Sequence, residues 1–157
     1  MELREVTHNE ILDVSKLYIE LAYFIKEKTN DDYFNFDELP LDSISSQLGF
    51  LITDNSKKIF VAIENGRTIG FIFGEIVGCF LPVSKTQRIG YISGAYVLPK
   101  FRGRGIMKSL EALMIGFFKD NNINYVELNT MSKNILAKKS WTGLGYSTYR
   151  EYMRKQI

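Results

Sequence analysis

Apolar and polar positions along the chain separate a helical N-terminal part from a strand-rich remainder. Residues 2–6 read as a short strand. Thr7-His8-Asn9-Glu10 fits a capping box, in which the Thr7 hydroxyl and the Glu10 carboxylate take up backbone N–H groups that a helix start leaves free. Ile11, Val14, Leu17, Tyr18, Leu21, Phe24 and Ile25 then follow helical spacing to about Lys28. The stretch TNDDYFNFDELP is a polar loop with interleaved aromatics, and a shorter helix is expected from Leu41 to about Thr53.

From there the period changes. KKIFVAIENGRTIGFIFGEIVGCF holds two β-rich runs joined by Asn65-Gly66, a strong hairpin signal. A loop around Pro82–Thr86 leads to a third long strand, about Ile89–Leu98, which Pro99 ends. A helix is expected from about Gly105 to Lys119, with Ile106, Leu110, Leu113, Met114 and Phe117 on one face. NNINYVELNT turns back into a strand, Asn134–Thr142 forms a short helix, and YSTYREYMRK closes as a last strand. The predicted order is β-α-α-β-β-β-α-β-α-β. No repeat, low-complexity segment or linker interrupts it, so residues 1–157 are expected to form a single domain.

Composition narrows the class more than the function. A hydrophobic content of 45% with 24% charged residues is that of an ordinary globular domain. No apolar run reaches the roughly 18 residues of a membrane span, and MELREVTHNE lacks the apolar core of a signal peptide. A cytoplasmic protein without a membrane partner is therefore expected. The single cysteine, Cys79, leaves no internal disulfide, and the single histidine, His8, speaks against a Cys/His zinc site, so no metal is expected.

The net charge of +2 conceals an asymmetry: residues 1–54 carry twelve acidic and four basic side chains, and residues 55–157 carry six and sixteen. Oppositely charged halves suit an anionic ligand on one side and a cationic one on the other, although two solvated faces would have the same composition. Nucleic-acid binding would need one basic stripe with exposed aromatics. The Arg/Gly loop described next offers the basic residues different work, so no nucleic-acid partner is expected.

The segment YVLPKFRGRGIMKSLEALM, Tyr96 to Met114, passes from a strand through Pro99 into an Arg/Gly loop and then a helix. A helix that starts at such a loop is an anion site, because its first N–H groups lack partners and its dipole places positive charge there. Gly103 and Gly105 let backbone approach an anion, and Arg102 and Arg104 add charged, forked donors. Two nucleotide motifs fail here. A Walker A loop needs Gly where Met107 stands before Lys108-Ser109, and a dinucleotide fingerprint needs Gly where Lys108 stands.

Two landmarks together resemble the GNAT-family N-acyltransferases, which use acetyl-coenzyme A. The family's pyrophosphate loop, Arg/Gln-x-x-Gly-x-Gly/Ala, is matched by Arg102-Gly103-Arg104-Gly105-Ile106-Met107. Its second landmark, Asn-x-x-Ala-x-x-x-Tyr-x-x-Leu-Gly-Phe/Tyr, is matched from Asn134 to Tyr146. The resemblance covers nearly the whole chain. It implies an α/β (α+β) fold with a mixed, mostly antiparallel sheet of about six to seven strands, flanked by four helices, whose splayed strands hold the cosubstrate.

The resemblance also implies residue roles. The strand before the loop carries a bulge, and its free backbone groups at Ala95, Tyr96 and Val97 bind the pantetheine arm as an added strand would. The Val97 N–H would polarise the thioester carbonyl. The pyrophosphate would lie on the amides of Gly103, Arg104, Gly105, Ile106, Met107 and Lys108, beside Arg102, and Asn134 would bond the pantetheine arm. The implied activity is direct attack of a primary amine on acetyl-CoA in a ternary complex. Glu75, on the strand beside the splayed one, is the candidate base, against the plainer reading of an exposed strand glutamate. Cys79 is read as core rather than as a nucleophile, and Asn129 stands where some relatives carry a glutamate base.

Two positions depart from the family pattern. Trp141 replaces the tyrosine that usually protonates the departing thiolate, and indole is no acid; solvent, Tyr91 or Tyr146 would have to serve. Met107 replaces a small residue, at little cost if its side chain turns into the helix's packed face. The acceptor side is expected to involve Asp31, Asp32, Asp37, Glu38 and Asp42 among Tyr33, Phe34 and Phe36. Such a loop suits a cationic amine: an aminoglycoside, a polyamine or a lysine-bearing peptide. Three alternatives remain open here: a solvated loop, a catalytically weak acetyl-CoA-binding regulatory module, and a peptide or ribosomal-protein N-terminal acetyltransferase. A homodimer is expected only by analogy.

Overall fold

In the computed structural model, which describes residues 1–157, the capping box forms as the sequence predicts. The Thr7 N–H and hydroxyl donate to Glu10 Oε2 at 2.9 and 2.8 Å, and Arg4 grips both oxygens of the same carboxylate at 3.0 Å. This knot joins β1 (Glu2–Glu5) through one 3₁₀ turn to α1 (Ile11–Thr29), which ends at left-handed Asn30. α2 spans Leu41–Leu51. β2 (Lys57–Glu64) and β3 (Arg67–Gly78) form the expected hairpin, with Asn65 and Gly66 both at positive φ, 51° and 73°, as a tight primed turn requires. No helix is long and apolar enough to cross a membrane.

β4 (Arg88–Val97) pairs antiparallel with β3. A 3₁₀ turn at Pro99–Phe101 and a short loop lead into α3 (Ile106–Asp120), and the chain returns as β5 (Val126–Leu128), parallel to β4. α4 spans Ile135–Gly143. The sheet order is β1-β2-β3-β4-β5, a mixed, mostly antiparallel sheet with four α-helices. The fold class is the expected one, but the sheet has five strands rather than six to seven.

The missing strand is YSTYREYMRK. It has no ladder partner; its tyrosines, Tyr146, Tyr149 and Tyr152, recur every third residue, which does not keep them on one face of a strand. Ring and ion-pair contacts hold this segment instead: Arg150 lies 4.3 Å over the Phe80 ring, and Arg154 pairs with Asp31.

The two faces of the sheet carry different helices. A side chain at Gly74 would meet Met114 and Phe118, and one at Gly90 would meet the Phe118 ring, which puts α3 on that face. One at Gly94 would meet Tyr18 and Phe71, which puts α1 on the other. Gly90 and Gly94 would share a face on a regular strand. They do not, because Ser93 is an extra residue: Gly94 opposes Phe73 and Ile92 opposes Gly74. This bulge in β4 reverses the alternation beyond it. The core fills both sides of β3, with Phe71 and Ile72 fully buried, and closes over α3 at Leu110, Met114 and Phe118.

Candidate functional site

The parallel pairing of β4 with β5 is three residues long and stops at Ile92–Leu128. The next residue of β4 is the bulged Ser93, and beyond it β4 runs on beside β3 alone. The ladder bond from Leu98 N–H to Ile69 O, 2.9 Å, sets which groups face which way. By alternation Gly94 and Tyr96 turn their backbone toward β3, and Ala95 and Val97 turn theirs to the open edge. Val97 O on that edge accepts a hydrogen bond from Arg102 Nε at 2.9 Å. The opened strand pair therefore offers free backbone donors at Ala95 and Val97.

This edge leads straight to the loop. Gly103 and Gly105 sit at φ 76° and 75°, where an L side chain is strained, and no atom lies within 4 Å of where either Cβ would be. Gly105 caps α3 without any side-chain hydrogen bond. Since the Ser109 N–H is the first to reach back, to Gly105 O, the amides of Ile106, Met107 and Lys108 have no intrahelical partner. The Met107 side chain packs against the core, as its replacement of a small residue requires. Free amides, room above the glycines and the positive end of a fifteen-residue helix make an anion site.

The two arginines are engaged elsewhere. Arg104 forks onto Glu64 at the end of β2, with contacts of 2.6 and 3.2 Å. Arg102, besides its bond to Val97 O, lies 4.9 Å over the Phe24 ring and 5.2 Å over the Tyr96 ring. Asn134 is buried at the start of α4, where its side-chain oxygen accepts the Ala137 N–H at 3.2 Å.

Around the point where β4 and β5 part lies a polar cluster. Glu75, half-buried on β3, accepts a 2.7 Å hydrogen bond from the Ser93 hydroxyl, and Asn129 donates to the Tyr91 hydroxyl. Burial pushes the Tyr91 phenol above its usual range, with Tyr152 and Glu75 adding to the effect. Trp141 is half-buried with its indole edge-on to Tyr146, centroids 5.4 Å apart. The Tyr146 hydroxyl donates to Glu111 of α3 at 3.1 Å, and burial followed by that carboxylate drives its pKa far up. Cys79, expected in the core, is only half-buried one residue past the end of β3 and is not part of the hydrophobic core.

In the 31–42 loop, Asp31 is held by Arg154 through two contacts, 3.0 and 2.8 Å, and by the Tyr33 N–H. These hold its carboxyl at about 2. Asp32, Asp37, Glu38 and Asp42 form no ion pairs. The sequence reading missed Ser93, whose role arises from the bulge, and Phe24, Glu64 and Arg154, whose partners are distant in the chain.

An open strand edge that runs into a helix start with free amides could take an extended ligand, with hydrogen-bonding groups along an arm and an anion at its end. A family model described as the acetyltransferase (GNAT) family matches residues 19–146. The chain belongs to this family, which places it among the acyltransferases. It is 26% identical over 87 residues to aminoglycoside N(6')-acetyltransferase type 1 of Salmonella typhimurium, covering 55% of this chain and 60% of the relative. The match thus spans less than two thirds of that protein's length.

Many solved structures share the fold. The tetramutant of the BH1408 protein of Bacillus halodurans superposes with a TM-score of 0.81 at 19% identity over 100% of both chains. AAC(6')-Iy, in complex with the bisubstrate analogue CoA-S-monomethyl-acetylneamine, does so with 0.78 at 19% identity over 99% of this chain and 98% of its own.

Proposed function

We propose that this protein is an N-acetyltransferase that moves an acetyl group from acetyl-CoA to a primary amine, with a cationic aminosugar of the aminoglycoside class as acceptor. The observation that carries the reading is the continuity of the free β4 edge with the Gly103–Lys108 amides. Acetyl-CoA fits this site chemically: its pantetheine arm carries amides for the groups of Ala95 and Val97, and its pyrophosphate is the anion for the start of α3. The room above Gly103 and Gly105 and the free amides of Ile106, Met107 and Lys108 support that placement. Asn134 keeps its side-chain N–H₂ for the arm while its oxygen caps α4.

Bound acetyl-CoA supplies an acetyl thioester, so that a C–N bond forms as the C–S bond breaks, CoA leaves as thiolate, and the amine's proton passes to a base. An alkyl amine with a pKa of about 10.4 must first be deprotonated, at a cost of roughly 4–5 kcal/mol near pH 7. Glu75, held by Ser93 where the strands part, is the base, acting directly or through water. The Val97 N–H stabilises charge on the carbonyl oxygen. Tyr146 is committed to Glu111, which leaves Tyr91, whose hydroxyl accepts from Asn129 and keeps its own proton, or solvent to take the usual acid's place; a thiol pKa near 8.5 makes release as thiolate only about 2 kcal/mol uphill at neutral pH. The unpaired acids of the 31–42 loop attract the cationic acceptor.

The test is release of CoA thiol with a panel of an aminoglycoside bearing a 6'-amine, a polyamine and a lysine peptide, with products read by mass. Amine-dependent release and a singly acetylated aminoglycoside are expected. A second reading, an acetyl-CoA-binding regulatory module, is favoured by Trp141 and by the engagement of Tyr146; binding of acetyl-CoA without release on any amine selects it.

A further inference from the structure

Arg102 opens the anion loop, yet its side chain makes its contacts with β4 and α1. Its Nε donates to Val97 O at 2.9 Å, and its plane lies over Phe24 of α1 at 4.9 Å and Tyr96 of β4 at 5.2 Å. The Val97 carbonyl points to the open edge, where β4 has lost β5 as a partner. The Val97–Leu98 peptide is otherwise held only from the β3 side, by the Leu98 N–H bond to Ile69 O, so an unbonded carbonyl would leave the strand end, and with it the Val97 N–H, braced on one edge alone. Arg102 supplies the hydrogen bond that a neighbouring strand would otherwise give, and its stacking ties the strand end to α1.

From this contact set we infer that Arg102 is a positioning residue: it braces the splayed end of β4 so that the Val97 N–H faces the ligand, and it is not a ligand of the pyrophosphate. The inference deepens the acetyltransferase reading, on which its kinetic consequences rest. It makes a crossed prediction for substitutions. Glutamine carries its side-chain nitrogen at the same bond count from Cα as Arg Nε, so Arg102→Gln keeps a planar N–H donor for Val97 O and discards the charge. Lysine keeps the charge but places its nitrogen one atom further out on a tetrahedral centre.

Two measurements test this. The first needs no turnover: amide hydrogen exchange in the ligand-free protein. Arg102→Ala is expected to speed exchange at Tyr96 and Leu98 at least about tenfold while β2 is unchanged, and Arg102→Gln is expected to restore most of the protection. Unchanged exchange in Arg102→Ala overturns the inference whatever the protein's activity.

The second compares acetyl-CoA with S-acetylpantetheine, which lacks the pyrophosphate. Turnover per folded molecule is expected to fall at least about tenfold in Arg102→Ala and Arg102→Lys with both donors, with KM for acetyl-CoA little changed and Arg102→Gln near wild type. A loss confined to KM for acetyl-CoA and rescued by lysine identifies a phosphate ligand and overturns the inference. A lower Tm with full turnover on both donors also overturns it, because the arginine would then serve stability alone. Failure of the wild type to transfer acetyl to any amine counts against the acetyltransferase reading, and the exchange result still decides Arg102.

Discussion

On the α3 side of the sheet, Leu110 and Met114 are fully buried, and glycines at 74 and 90 make room for Met114 and Phe118. On the opposite flank, the 31–42 loop and residues 147–157 are held by an exposed ion pair and by rings such as Tyr33, 76% exposed, and Tyr152, 80% exposed. The first region presents backbone amides to a ligand, and packing fixes where those amides lie. The second presents charged side chains on segments with little buried surface beneath them. On the proposed reading, a cosubstrate site made of backbone would tolerate side-chain change such as Met107, whose side chain packs on the core, whereas an acceptor site made of side chains would be sensitive to substitution.

The contrast is broken most severely in the core behind the loop. Leu110→Ala empties a fully buried position and is expected to cost about 2–5 kcal/mol in urea unfolding, weakening CoA binding with it. Next comes the chemistry between the two regions. Glu75→Gln is expected to lower kcat about 100-fold at neutral pH with KM for acetyl-CoA unchanged; unchanged kcat would remove Glu75 as the base. A smaller gain is expected from Trp141→Tyr, which returns a phenol to the acid's place and should raise turnover several-fold.

The smallest effect lies in the 31–42 loop. Asp31, held at about 2 by the Arg154 guanidinium and then the Tyr33 N–H, has a folded pKa below its ordinary 3.8. Its contribution to stability is therefore present above pH 4 and lost as the pH falls from 3.8 to about 2. Asp31→Asn should lower Tm slightly at pH 6, and the difference from wild type should vanish across that acid window. A difference that persists at pH 2 would mean that the carboxylate charge is not what holds the tail.

The legible parts of the molecule were the local ones. The Thr7 capping box, the Asn65-Gly66 turn and the Gly103/Gly105 loop each depend on a few adjacent residues whose backbone preferences are strong, and each forms as read. Helix α3 declared itself by its apolar spacing. The resemblance implied a bulge in β4 but not its place at Ser93, because an extra residue in that strand is defined only against its partner β3. For the same reason the contacts of Arg102 with Val97 O and of Arg104 with Glu64 could not be read: neither partner is marked in the sequence. The closing segment read as a strand from its aromatic content, but strand formation needs a partner edge, and none pairs with it.

The central claim is that backbone groups of β4 and the start of α3 form the cosubstrate site. Residue-resolved amide exchange with and without saturating CoA tests it most directly. Slowed exchange at Ala95, Val97, Ile106, Met107 and Lys108, with the 31–42 loop unchanged, is the predicted result. Bound CoA that leaves those five amides exchanging as they do in the free protein would contradict it.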